Sequence, residues 1–389
     1  HRQLQAGGLS HRTGTLVSLD DLAYPQPGVT RLTNVTLAHS HSAEELMRVR
    51  ELELHRQGDS LTVIAAQPQI AAAHIDELWR QLDRRLLQES FPNYKSLRLV
   101  AHDVTIRGDD GEAQTLKLFE AEFRTAGKER TLAITYQLAG DQKSTPATLS
   151  LLRQDQDAWH VRWQTGDAEL PLAPWAEQLP WLAGLGSDCR FRGSANITHS
   201  AGGLSGNMQG KLSHVDLDQL ISDNLAHKLS GQANVVLHNA RFKQGRLLEL
   251  HADIEAGPGV IGAPLIEETA GEWSLTLNGD PSTTSKPLRK YDRLAAEVRL
   301  ADGDLYVAGT LPEAPAGTVL ALTDGTQLTT KENATFDPAS LIRILSSAED
   351  ANVPATESTR HLIRWLPLAK EKTGDAAEAR PTAHLRGGP

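Results

Sequence analysis

The stretch LLELHADIEAGPGVIG, Leu247 to Gly262, carries two signals that point to different folds. Leu248, Leu250, Ala252, Ile254 and Ala256 alternate with Glu249, His251, Asp253 and Glu255, which is the period of a half-buried strand. Gly257, Gly259 and Gly262 then follow at the G-x-G-x-x-G spacing of a dinucleotide loop. That loop needs a helix of ten or more residues opening inside a parallel βαβ unit. Here APLIEETA, with an internal Pro264, leads into GEWSLTLNG, which reads as the next strand. Pro258 also removes a backbone donor. The expectation is a glycine-rich turn or bulge between strands, with no nucleotide.

Outward from this stretch, the same alternation recurs. It appears in TLAITYQLAG (Leu132, Ile134, Tyr136, Leu138), AWHVRWQ (Trp159, Val161, Trp163), RFRGSANITHS, GQANVVLHNA (Ala233, Val235, Leu237), EWSLTLNG (Trp273, Leu275, Leu277) and RLAAEVRLADGDLYVAG. Short glycine-bearing connections such as ADGD and KQGR separate these runs, as hairpins require. The fold class expected is mainly β: a long curved antiparallel sheet, of groove or half-open barrel type, with a few amphipathic helices packed on it.

Helical periodicity follows Pro68, where Ile75, Leu78, Leu82 and Leu86 share a face away from Arg80, Asp83, Arg84 and Glu89. It returns near 216–230, with Asp216 or Asp218 as cap, Leu217, Leu220, Ile221 and Leu225 as stripe and Gly231 beyond the end. FDPASLIRILSSA adds a helix capped by Asp337 with Pro338 in its first turn. The expected organisation is an N-terminal β segment (1–66), an amphipathic helix insertion (67–91), a main antiparallel β region (92–336), a C-terminal helical cap (337–369) and a disordered tail (370–389).

Composition narrows function. The net charge is −10 and no basic block can track a phosphate backbone, so nucleic acid is not an expected partner. A single cysteine, Cys189, excludes an intramolecular disulfide framework. There is no apolar run long enough to span a bilayer, and the start at His1 leads us to expect a removed segment, a signal peptide or a membrane anchor, upstream. His39 and His41 lack ligand partners at zinc spacing; Asp216 and Asp218 read as a cap and a solvated neighbour; Ser205 lies in a turn. No metal, cofactor or catalytic residue is expected. Tryptophans 159, 163, 175 and 181 lie close to Asp157, Asp167, Glu169 and Glu177, which keeps a carbohydrate-active β enzyme as a third reading.

Two passages, TGTLVSLDDLAYPQPGVTRLTNVTLAH (Thr13–His39, followed by LMRVRELEL) and GRLLELHADIEAGPGVIGAPLI (Gly245–Ile266), resemble the AsmA-like proteins of bacteria with an outer membrane. These are related to the repeating β-groove lipid-transfer proteins. The resemblance covers about Thr13 to Leu54 and Phe191 to Leu277 and rests on pattern rather than signature. It implies a periplasm-facing, inner-membrane-anchored, non-enzymatic protein that binds or guides phospholipid and serves outer-membrane homeostasis. Leu132, Ile134, Tyr136, Val235, Leu237, Leu248, Leu250, Ile254, Trp273, Leu275 and Leu277 are the lipid-binding candidates. The alternative is a structural or adhesive β scaffold whose apolar residues fill an ordinary core.

Overall fold

The computed structural model describes residues 15–345 apart from 41, 83, 85–86, 88–93, 109–112, 140–144, 155–157, 174–179, 224, 226, 280–286 and 332–333. Strands carry most of it. The first group is β1 (Leu16–Ser18), β2 (Asp21–Gln26), β3 (Val29–Ala38), β4 (Glu45–Gln57), β5 (Ser60–Ala66) and β6 (Gln69–Ala71), followed by helix α1 (Ile75–Leu82). Next come β7 (Ser96–Arg107), β8 (Ala113–Ala126), β9 (Glu129–Leu138), β10 (Ala147–Arg153), β11 (Trp159–Gln164) and β12 (Leu170–Pro171). β13 (Arg190–Ser200), β14 (Gly203–Asp216), β15 (Gln232–Lys243), β16 (Arg246–Ala256) and β17 (Gly259–Gly262) lead into α2 (Ala263–Glu272). The last elements are β18 (Thr276–Asn278), β19 (Leu288–Ala301), β20 (Asp304–Gly309), β21 (Thr318–Leu322), β22 (Gln327–Thr329), β23 (Thr335–Phe336) and α3 (Ala339–Leu345).

All these strands form one sheet. Chain neighbours pair antiparallel from β2 to β5 and again from β7 through β11, and β11 pairs β13; β13 to β16 continue the meander, which passes to β19 and β20. The hairpins explain this order: Gln244 (φ 53°) with Gly245 (φ 74°), and Asp302 (φ 55°) with Gly303 (φ 87°), hold the two positive φ values that match strand twist. One junction departs from the antiparallel expectation. β5 and β6 pair β7 in parallel (Leu61↔Leu97, Ile70↔Ile106), and α1 lies in the crossover, because a hairpin cannot join parallel strands. The sheet is therefore mixed. Among the described strands, those at its two ends do not pair with each other, so it is not a closed barrel.

The stretch around Gly257 corrects two expectations. β16 and β17 run along the same partner, with Ala256 opposite Leu294 and Gly259 opposite Tyr291 of β19. The glycines bend one continuing strand and do not reverse the chain. Gly257 has φ 147°, and a Cβ on Gly259 would overlap the Ser230 carbonyl oxygen and sit 2.7 Å from the Tyr291 ring. The helix held to be missing is present: α2 begins immediately after Gly262. Pro264 falls in its first turn, where no intrahelical bond needs the absent N–H. Trp273 consequently closes a helix rather than opening a strand, and β18 starts only at Thr276.

The helix expected near 216–230 shrinks to one turn over Asp218–Ser222. β14 runs on to Asp216, whose Oδ1 accepts from the backbone N–H of Asp218 (2.9 Å) and Gln219 (3.3 Å), so the capping role is met. The turn then stops because Ser222 Oγ bonds both the N–H and the carbonyl of Leu229 (3.1 Å each), and Leu229 bridges to Ile261. The insertion expected over 67–91 opens as strand β6 and turns helical only at α1, while the helix after Asp337 matches its signal. Asp337 Oδ1 accepts from Ala339 N–H at 2.9 Å ahead of α3, and α1 exposes Arg80 while Ile75, Leu78 and Trp79 are half-buried. Leu86, Asp83 and Glu89, the helical cap beyond residue 345 and the tail at 370–389 lie outside the described residues.

Candidate functional site: one apolar face of the sheet

Residues opposite one another in adjacent strands project from the same face, so the register defines which side chains line up. Starting at Leu54, the cross-strand partners are Val63, Leu99, Ala121, Ile134, Leu149, Trp163, Ala195, Met208, Ala240, Leu250, Leu300, Leu305 and Phe336. Every member is apolar. A parallel row runs Leu61, Leu97, Phe123, Leu132, Leu151, Val161, Ile197, Gly206, Phe242 and Leu247, again without a polar side chain. A one-residue slip in any strand would break both rows.

The opposite face is charged. Arg31 pairs with Glu53 at 2.6 Å, Arg98 with Glu120 at 2.8 Å, Lys117 with Asp103 at 2.9 Å and Arg124 with Glu122 at 2.7 Å; Arg241 pairs with Glu249. Hydrogen bonds from these cations hold the carboxyls of Glu53, Glu120, Asp103 and Glu249 below the usual carboxylate range. Exposed pairs of this kind are screened by water, so they set which face meets solvent more than they hold the sheet together.

Parts of the apolar face are covered. Leu87 and Trp79 pack with Phe123, Leu132 and Leu151; Leu172, Leu182 and Leu185 pack with Phe191 and Val215; Leu341 of α3 meets Leu300 and Leu305. Ile197, Leu204 and Phe242, grouped around Gly206, form a half-buried strip that belongs to none of the buried clusters; Leu149, also half-buried and outside them, lies apart on β10.

Of the sequence-derived candidates, Leu132, Ile134, Tyr136, Val235, Leu237, Leu250 and Ile254 share this apolar face. Leu132 and Leu237 are buried there, while Ile134, Val235, Leu250 and Ile254 are half-buried. Tyr136 packs beside Ala147, Ala168 and Leu170, and burial pushes its phenol up to about 12. Leu248 sits at a register shift between the Arg241 and Phe242 pairings and has no cross-strand partner, so Leu247 takes the place opposite Phe242. Trp273 and Leu275 are brought together with α2 and α3 instead: the Trp273 indole N–H donates to Ser340 Oγ at 2.7 Å and the ring stacks on Phe336 at 5.2 Å. Leu277 is exposed on β18.

The carboxylates considered for glycoside chemistry are held in structural contacts. Asp167 accepts from the Thr145 N–H and hydroxyl at 3.1 Å each, which lower its pKa, and Glu169 accepts from Ser213 Oγ at 3.2 Å. Asp157, Glu177 and Trp175 lie outside the described residues, as does His41. His39 Nδ1 accepts from the Ser42 N–H at 3.3 Å. A depression beside Gly257 and Pro258 is lined by Gln232, Asn234, Glu255, Asp292 and Arg293, too polar a wall for an acyl chain. No described helix is long and apolar enough to cross a membrane. Alternation places Ile197 on a strand face but does not single it out, and Met208 and Phe242 carry no such signal; their neighbours across the sheet became visible only with the register. No family model matches the chain, and neither a curated protein nor a solved structure matches it.

Proposed function

We propose that this chain is a non-enzymatic, periplasm-facing envelope protein of the AsmA-like kind that guides phospholipid along the apolar face of its sheet, held near the inner membrane by an anchor upstream. The observation that supports this most is the apolar row from Leu54 to Phe336, which crosses the sheet without a polar side chain. Where its members are half-buried, as at Leu149 and Leu250, the row offers an acyl chain apolar contacts, and each buried methylene contributes about 0.8 kcal/mol; Leu300 and Leu305 are already covered by α3. Headgroups stay in water, so no polar pocket is required.

The experiment is lipid extraction from gently purified protein, combined with a photo-crosslinker placed at Ile197 or Phe242. Phospholipid in the extract and labelled acyl chains at these positions are the expected result. Lipid-free protein and unlabelled crosslinkers would instead favour a structural or adhesive scaffold, in which the apolar rows pack against each other.

A further inference from the structure

On the charged face, β15, β16 and β19 bring together a group of side chains that lipid guidance does not use. His238, His251 and Asp253 each place a potential ligand atom within 4.8 Å of the other two. We infer that this is a binding site for a divalent transition-metal ion of the zinc class, with two imidazoles and one carboxylate as protein ligands and water completing the shell.

Three features of the strands build it. His238 is the extra residue at a register shift, between the Leu237↔Ala252 and Asn239↔His251 pairs, and such a bulge re-aims its side chain. Its ring is tilted 38° against that of His251 with centroids 4.4 Å apart. Asp253 Oδ2 lies 2.7 Å from His238 Nε2, closer than the about 3.4 Å between two donors each about 2.1 Å from a tetrahedral zinc. A small side-chain rotation therefore admits the ion.

The surroundings suit a metal. His251 Nε2 is 2.8 Å from Glu297 Oε1, which orients the ring and leaves Nδ1 for the ion, the arrangement that metal-binding histidines use. Glu297 is itself held by Arg299 Nε at 2.6 Å, so it acts as the orienting carboxylate and not as a fourth ligand. The His238, Asp253 and His251 side chains are 42%, 42% and 39% exposed, which leaves a path for the ion and room for water. Nitrogen donors select zinc, nickel or copper over magnesium. The site is independent of the lipid reading, because the side chains of β15, β16 and β19 that line it project away from the apolar rows.

The test is calorimetric titration of the full chain at neutral pH with zinc alone and with magnesium alone, supported by Co²⁺ absorption as a measure of tetrahedral geometry. The expected result is one zinc per chain, no magnesium binding, and loss of zinc binding in both His238→Asn and His251→Asn. Glu297→Gln weakens affinity about 10- to 100-fold. His102→Asn, on an exposed side chain of β7, leaves it unchanged. Zinc binding of equal affinity in the His238→Asn/His251→Asn double variant, equal binding of magnesium, or no zinc binding by folded wild-type protein overturns the assignment; the last result would mean that the cluster is a set of histidine–carboxylate pairs only.

Discussion

Phe123 and Phe242 stand in the same cross-strand row, yet their surroundings differ. Phe123 is 1% exposed and sits beneath Leu87 with Leu132 and Leu151, whereas Phe242 is half-buried and belongs to no buried cluster. Phe123→Ala removes a ring enclosed on all sides and costs about 3–5 kcal/mol. Phe242→Ala removes a ring that still meets water, leaves no closed cavity and costs about 1–2 kcal/mol. A charge sharpens the contrast: Phe242→Asp remains hydrated on an open strip, while Phe123→Asp strands a carboxylate in the core. Urea unfolding followed by tryptophan fluorescence measures the stability differences, and lipid extraction of the same variants tests the proposed lipid binding. Phe242→Asp is expected to stay folded and lose lipid; Phe123→Asp is expected not to fold. Equal destabilisation by the two alanine variants would refute the open strip, because it would show Phe242 to be enclosed as Phe123 is.

Gly259→Ala drives a methyl into the Ser230 carbonyl and the Tyr291 ring and is expected to destabilise by about 1–3 kcal/mol or more, read as a lowered urea midpoint. Asp324 is depressed to about 2, chiefly by the hydrogen bond from buried Arg289, against an ordinary 3.8. Its stabilisation is therefore complete above the ordinary value and lost as pH falls through the folded one. Asp324→Asn should flatten the stability profile between about pH 4 and pH 2, and an unchanged profile would count against the pair. Trp273→Phe keeps the stacking on Phe336 but removes the bond to Ser340, which should cost about 1 kcal/mol and raise amide exchange in α3. Asp337→Ala should loosen the same helix by about 1 kcal/mol through loss of the cap to Ala339, detectable by the same exchange measurement.

The strands were legible because their signal is local: Leu132, Ile134 and Tyr136, or Leu250, Ala252 and Ile254, report a face through their own alternation. The polar side was equally legible, and the alternation already grouped His251 with Asp253. His238 was not, because its position depends on a bulge that shifts the local register by one residue. α2 escaped because proline was weighed as a breaker although the first turn tolerates it. The one-turn segment at Asp218–Ser222 misled in the opposite sense: Leu217, Leu220, Ile221 and Leu225 have a helical period, but the bonds of Ser222 to Leu229, seven residues further along the chain, end the helix in a way that periodicity does not weigh. The parallel junction of β5 and β6 with β7 is a pairing across a crossover, and no window of sequence contains both partners.

The nearest-neighbour order of the strands also has a consequence for length. Strands in a sheet stand about 4.8 Å apart, so the apolar row from β4 to β23 extends about 60 Å at right angles to the strands. Each further hairpin inserted in the meander would lengthen that path by about 10 Å while touching only the two strands beside it. The length of the row is thus decoupled from the design of any single strand: it grows or shrinks with the number of hairpins, provided that each preserves the two-residue period and the register that keep the row unbroken.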